Sequence, residues 1–87
     1  MPTLQTALII GASRGLGLGL AREYLARNWQ VIATVRDPAA RAVRELQSKF
    51  RDAVEIGTLD IVDEEQIRAL RRRLDDRRLD LLFVNAG

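Results

Sequence analysis

Four short apolar runs separated by segments of helical period dictate the architecture of this 87-residue chain. Leu4 to Ile10 is the first run. It is apolar on both faces, as a strand covered on both sides of a parallel sheet must be, and it stops at Gly11. Trp29–Val35, Val54–Leu59 and Leu79–Val84 are the other three. Between the first two, Leu16, Leu20, Ala21, Tyr24 and Leu25 recur at helical spacing, predicting a helix from Leu16 to about Asn28. Asp37-Pro38 predicts the start of a second helix, a side-chain cap followed by proline at the first helical position, with Val43, Leu46 and Phe50 as its buried stripe. The third helix has Asp63 as its cap, Gln66 at the capping-box position and Val62 set to staple against Ile67. Glu64 and Glu65 in its first turn and Arg71, Arg72 and Arg73 near its end suit the macrodipole, and Ile67, Leu70 and Leu74 supply a buried face.

The order is therefore β-α-β-α-β-α-β. Crossovers of about 12–15 residues imply parallel neighbours and an α/β fold. Right-handed connections from the first strand to the second and third put two helices on one face, and the third connection returns the fourth strand beside the first. The expected sheet is a partial, doubly wound one of strand order 3-2-1-4. Its second face would carry one helix, and its fourth strand would be an open apolar edge that a second half normally covers. The chain is accordingly expected to be the N-terminal portion, residues 1–87, of one larger domain, beginning at a true Met1 and cut after Gly87.

Composition narrows the chemistry. With no cysteine and no histidine, these residues hold no disulfide, thiolate zinc site, imidazole metal cluster or histidine triad. No metal site is expected. The 13 Arg and single Lys are interspersed with 12 acids for a net charge of +2, without the basic stripe that nucleic acid requires. The opening Met-Pro-Thr-Leu-Gln-Thr has no positive n-region, and the apolar runs of about six residues fall far short of the ~18 that span a bilayer. A soluble cytoplasmic protein is expected.

Gly11, Gly15 and Gly17 stand between the first strand and the first helix. The first suits a tight reversal, the second a close backbone approach to a bound group, and the third close packing of helix on sheet, while the helix N-terminus favours a pyrophosphate. The spacing G-x-x-x-G-x-G is neither G-x-G-x-x-G nor a P-loop, and glycines alone are equally consistent with a turn that binds nothing.

Together with two further motifs, this turn resembles the short-chain dehydrogenase/reductase family. Thr6-Ala-Leu-Ile-Ile-Gly-Ala-Ser-Arg-Gly-Leu-Gly17 is similar to its T-G-x-x-x-G-x-G cofactor motif. Leu59-Asp60-Ile61 is similar to its aspartate after the third strand, which contacts adenine, and Leu81-Leu-Phe-Val-Asn-Ala-Gly87 to its N-N-A-G element. Ile10 stands where the family more often has Thr, and Val84 replaces the first Asn of N-N-A-G. The stretch 74–87 is similar to small carbonyl-reductase-like members related to bacterial C-factor proteins. The resemblance implies a Rossmann-type NAD(P)-binding domain. Its cofactor-binding residues would be Gly11, Ser13, Arg14, Gly15, Leu16, Gly17, Arg36, Asp60, Ile61, Asn85, Ala86 and Gly87.

The choice of nicotinamide cofactor is made after the second strand, where an acid binds the ribose 2′-hydroxyl of NAD or an arginine accepts the 2′-phosphate of NADP. Asp37, about 20 residues past the turn, has the count for the acid but is also the expected helix cap. The resemblance sets the acid of NAD enzymes at Val35 and the arginine of NADP enzymes at Arg36, with Arg14 as a second basic group. Two guanidiniums fork around a phosphate, so NADP is expected in preference to NAD. The Arg71–Arg73 and Arg77–Arg78 groups, interrupted by Asp75 and Asp76, are expected to be a solvated helix end.

The family's proton chemistry uses Tyr-x-x-x-Lys and a Ser on the strand before it, whereas the serines of this chain are Ser13, in the glycine turn, and Ser48, on a helix. Its one tyrosine, Tyr24, is followed four residues on by Asn28 and lies on a packing face, so no catalytic residue can be named. The expected function is that of an NADP(H)-dependent oxidoreductase moving hydride between cofactor and a small carbonyl or alcohol, this chain carrying the dinucleotide-binding part. A homo-oligomeric full-length parent is expected. The alternative is a non-catalytic dinucleotide-binding or sensor module on the same fold. A methyltransferase-like nucleotide domain is disfavoured by Asp60 and by Asn85-Ala86-Gly87.

Overall fold

The computed structural model describes residues 5–60, 62–75 and 77–84. Its elements are β1 (Thr6–Ile10), α1 (Gly15–Ala26), β2 (Gln30–Val35), α2 (Arg41–Phe50), β3 (Val54–Thr58), α3 (Glu64–Leu74) and β4 (Leu81–Val84), with a 3-10 turn at Arg51–Ala53 before β3. The four strands are parallel and ordered β3-β2-β1-β4. This is the Rossmann-type order expected from the connection lengths.

Strand alternation sorts the core into two layers. Ala7 and Ile9 of β1, Val31, Ala33 and Val35 of β2 and Val54 of β3 pack with Ala21 and Leu25 of α1 and with Val43 and Leu46 of α2. On the other face, Leu8 and Ile10 join Leu82 and Val84 of β4 and Ile67, Leu70 and Leu74 of α3 around a cavity of about 480 Å³. Leu82 and Val84 are more than half exposed, so β4 is the apolar edge that the topology implied.

The helix ends show where local signals were overruled. α1 closes in a Schellman turn. Asn28 takes φ 66°, its N–H donates to Leu25 O at 3.1 Å, and Trp29 N–H donates to Tyr24 O at 3.0 Å. The hydrophobic contact that accompanies such a turn is the Tyr24–Trp29 ring pair, with centroids 4.6 Å apart. Leu16, expected on the buried stripe, is 64% exposed, and the helix packs through Gly17, Ala21 and Leu25 instead.

Asp37 does not cap α2. Its carboxylate accepts from Ala39 N–H at 2.9 Å and its carbonyl from Ala40 N–H at 3.2 Å, forming a separate turn, and the helix begins only at Arg41. The side chain satisfies a donor two residues on, as Asx turns do, so proline follows into a turn and not into a helix.

Asp63 does cap α3, accepting from Glu65 and Gln66 N–H. The returning arm of the box differs from expectation, because Gln66 Oε1 reaches Asp60 N–H at 2.5 Å. Val62 is 83% exposed and staples nothing. Nor is the far end of α3 simply solvated: Arg73 and Arg77 both bond the Glu55 carboxylate on β3. The hydrogen bond from Arg77, helped by Arg73, holds the Glu55 carboxyl below its ordinary pKa against the opposing effect of burial.

Candidate functional site

The loops leaving β1, β2 and β3 meet at the carboxyl edge of the sheet, next to the point where the strand order reverses between β1 and β4. Open α/β sheets bind ligands there.

The first loop is the glycine turn. Gly11 leaves β1 with φ 86° and Gly15 enters α1 with φ 61°, both in the left-handed region that favours glycine. The turn is pinned to β2, because Gly11 N–H and Ala12 N–H each donate to Thr34 O at 3.0 Å, and Thr34 Oγ1 lies 3.4 Å from the same Gly11 nitrogen. A Cβ on Gly17 would lie closer than 3.0 Å to Gly11 O, 3.1 Å from Gly11 C and 3.3 Å from Ala12 Cα. α1 thus sits directly on the backbone of the turn. A Cβ on Gly15, by contrast, would meet nothing within 4 Å.

Arg14 is the N-cap residue of α1, extended and with no side-chain bond to the helix, and no acid occupies the first turn. The N–H groups of Gly15, Leu16 and Gly17 precede the first helical acceptor, so the positive end of the dipole is left to whatever approaches. Arg14 and Leu16 are exposed and Ser13 is half-buried around this opening. The cradle fits a phosphate group: backbone donors, an added guanidinium, no competing carboxylate in the first turn, and open space over Gly15.

The second loop carries Arg36 just past β2, with its side chain 80% exposed. The third carries Asp60, whose Oδ2 lies 4.0 Å from Arg36 Nη2. Leu59 N–H donates to Val35 O at 2.9 Å, holding the two loops side by side. The Asp60 turn is tied down on every other side. Its N–H donates to Gln66, its Oδ1 accepts from Val62 N–H at 3.1 Å, and its carbonyl accepts from Asp63 N–H at 2.9 Å. Of the residues expected to bind cofactor, Ile61, Asn85, Ala86 and Gly87 lie outside the described residues. The remaining eight line up along the β1, β2 and β3 ends.

Two positioning residues were missed by sequence reasoning. Thr34 is 1% exposed and anchors the glycine turn; a lone polar residue in an apolar strand was its signal. Gln66 was assigned to the cap alone, and nothing in the spacing distinguishes Asp63 N–H from Asp60 N–H as its target. Among the described residues, no helix is long and apolar enough to cross a membrane, and no group of three or more acidic side chains is placed to hold a metal ion.

The family model for the short chain dehydrogenases matches residues 5–87. The chain belongs to this family. Curated relatives include an uncharacterized oxidoreductase of Mycobacterium tuberculosis, 34% identical over 98% of this chain and 36% of its own length. The L-fucose dehydrogenase of Oryctolagus cuniculus is 36% identical over 95% of this chain and 29% of its own. The chain therefore spans about a third of the length of the short-chain dehydrogenases it matches. Among solved structures, a Burkholderia multivorans protein assigned to the short-chain dehydrogenase/reductases and holding bound NADP is 49% identical, with TM-score 0.90 over 98% of this chain and 37% of that one. A carbonyl reductase from Pseudomonas aeruginosa PAO1 in complex with NADP is 36% identical, with TM-score 0.91 over the same shares. The likeness to small carbonyl reductases drawn from residues 74–87 thus extends over nearly the whole of this chain.

Proposed function

We propose that this chain is the dinucleotide-binding N-terminal portion of an NADP(H)-dependent short-chain dehydrogenase/reductase that moves hydride between the nicotinamide and a small carbonyl or alcohol. The observation that carries this reading is the glycine cradle at the uncapped start of α1 with an exposed arginine, Arg36, directly past β2. The solved neighbours with bound NADP support it. When bound, the cofactor supplies the hydride acceptor or donor. The chain's own part is to bind and orient: Gly11, Ser13, Gly15, Leu16 and Gly17 would hold the pyrophosphate side, and Arg14 and Arg36 a ribose 2′-phosphate. Asp60, with Ile61, Asn85, Ala86 and Gly87, would border the adenosine.

No proton-transfer step is assigned to these residues. Tyr24 is held in the Schellman turn of α1 against Trp29, and the Tyr, Lys and Ser of the family's chemistry would be supplied by the rest of the parent. A cytoplasmic, homo-oligomeric parent forms part of the same proposal, on the family's habit.

The test is the binding of NADPH and NADH by the chain and by Arg36→Ala, read from nicotinamide fluorescence. A charge-assisted contact to phosphate is worth about 1.5–3 kcal/mol, so the variant should lose roughly 10- to 100-fold for NADPH and little for NADH. An unchanged NADPH-to-NADH ratio would refute the assignment.

A further inference from the structure

We infer that Asp60 tunes the cofactor preference of this chain by competing with the ribose 2′-phosphate for the Arg36 guanidinium. The inference rests on the reading of Arg36 as the 2′-phosphate group. It goes beyond that reading in giving the neighbouring carboxylate a role in selectivity.

The geometry behind it is the contrast between a fixed anion and a free cation. Asp60 is bonded at its nitrogen by Gln66 Oε1, at its carbonyl by Asp63 N–H and at Oδ1 by Val62 N–H. The first two bonds fix the Asp60 backbone and the third fixes Oδ1, which leaves Oδ2 as the oxygen that faces Arg36, at 4.0 Å. Asp63 in turn fixes the first turn of α3 that carries Gln66, so the orientation of the carboxylate is set by an element that need not touch the ligand. Arg36 has no such restraint. Its side chain is 80% exposed, and Asp60 is the acidic partner it has among the described residues.

An arginine with a fixed carboxylate beside it is already part-neutralised. A 2′-phosphate must share the guanidinium with Asp60 and also accept a second negative charge nearby. A ribose bearing a free 2′-hydroxyl meets neither penalty and finds an acceptor in Oδ2. The pair therefore narrows the gap between the phosphorylated and unphosphorylated cofactors, and Asp60 holds the preference for NADP below what Arg36 alone would produce. Because Asp60 would border the adenosine of either ligand, its other effects should cancel in the ratio of the two affinities.

The experiment measures binding of adenosine 2′,5′-bisphosphate and of 5′-AMP to the chain by calorimetry, for wild type, Asp60→Asn and Arg36→Ala. Asparagine keeps an oxygen for Val62 N–H and the backbone bonds to Gln66 and Asp63, while it removes the charge and replaces the Oδ2 acceptor by an N–H donor. Exposed ion pairs are weak, so Asp60→Asn should raise the ratio of bisphosphate to AMP affinity by about two- to fivefold. If that ratio stays at the wild-type value or falls while Arg36→Ala collapses it, the inference is overturned and the reading of Arg36 stands. If Arg36→Ala leaves the ratio unchanged, or neither ligand binds, the reading of Arg36 fails and the inference falls with it.

Discussion

Replacing Gly17 by alanine tests the packing on which the glycine cradle depends. The added methyl would lie closer than 3.0 Å to Gly11 O and within 3.1–3.3 Å of Gly11 C and Ala12 Cα. All three are backbone atoms, so no side-chain rotation relieves the overlap. Either α1 lifts from the sheet or the turn shifts, and a shifted turn loosens the two 3.0 Å bonds that Gly11 and Ala12 donate to Thr34 O. Overpacking of this kind costs about 1–3 kcal/mol and a weakened backbone bond about 1 kcal/mol more, against a gain of up to ~1 kcal/mol from the helix propensity of alanine. The net loss should be about 1–3 kcal/mol, a large share of the roughly 4–13 kcal/mol that a domain of this size has. Gly19→Ala is the matched control. It lies two residues further along the same helix, a Cβ there would meet nothing within 4 Å, and it should stabilise by about 0.5–1 kcal/mol. Urea denaturation followed by the fluorescence of Trp29, the single tryptophan, reads both changes. A midpoint for Gly17→Ala equal to or above that of wild type would refute the close approach of α1 to the turn.

Two other consequences can be checked with the same assay. Asn28→Gly should leave stability unchanged or raise it by up to ~1 kcal/mol, because the position needs φ 66°, and Asn28→Val should lower it by about 1–2 kcal/mol; equal midpoints for the two variants would dispose of the Schellman assignment. The folded-state pKa of Glu55 is depressed, so its bonds to Arg73 and Arg77 stabilise the fold above the unfolded carboxylate pKa of about 4.3 and are lost as pH falls through the lower folded value. The side chain is 36% exposed, so the effect is at most about 1 kcal/mol; Glu55→Gln should flatten the stability profile below pH ~4.5, and an unaltered profile would contradict it.

The fold was legible because its signals are local and repeated. A run that is apolar on both faces, such as Leu4–Ile10, has few alternatives to a buried parallel strand, and connections long enough for a helix leave few topologies. The glycine turn was legible because the φ values of Gly11 and Gly15 favour glycine and the backbone contact at Gly17 leaves no room for a Cβ. Competition between neighbours was not legible. Asp37-Pro38 satisfies the rule for a helix start and also that for an Asx turn, and the residues around it do not decide between them. Leu16 has the period of the α1 stripe, yet the helix is rotated so that Gly17, with no side chain, faces the sheet and Leu16 faces outward.

Sequence alone determined the element order, the strand order 3-2-1-4 and the place of the glycine turn, because each follows from residue types read over a few positions of chain. Tertiary structure alone decided which side chains act together. Arg36 and Asp60 are 24 residues apart and meet because β2 and β3 run parallel in neighbouring register, with Val31 opposite Val54 and Val35 opposite Thr58. The same geometry ties Glu55 to Arg73 and Arg77, brings Thr34 under Gly11, and turns Gln66 back to Asp60. Hydrogen bonds and ion pairs depend on distances of a few ångströms, and distances between elements are set by packing, which no single segment of the sequence contains.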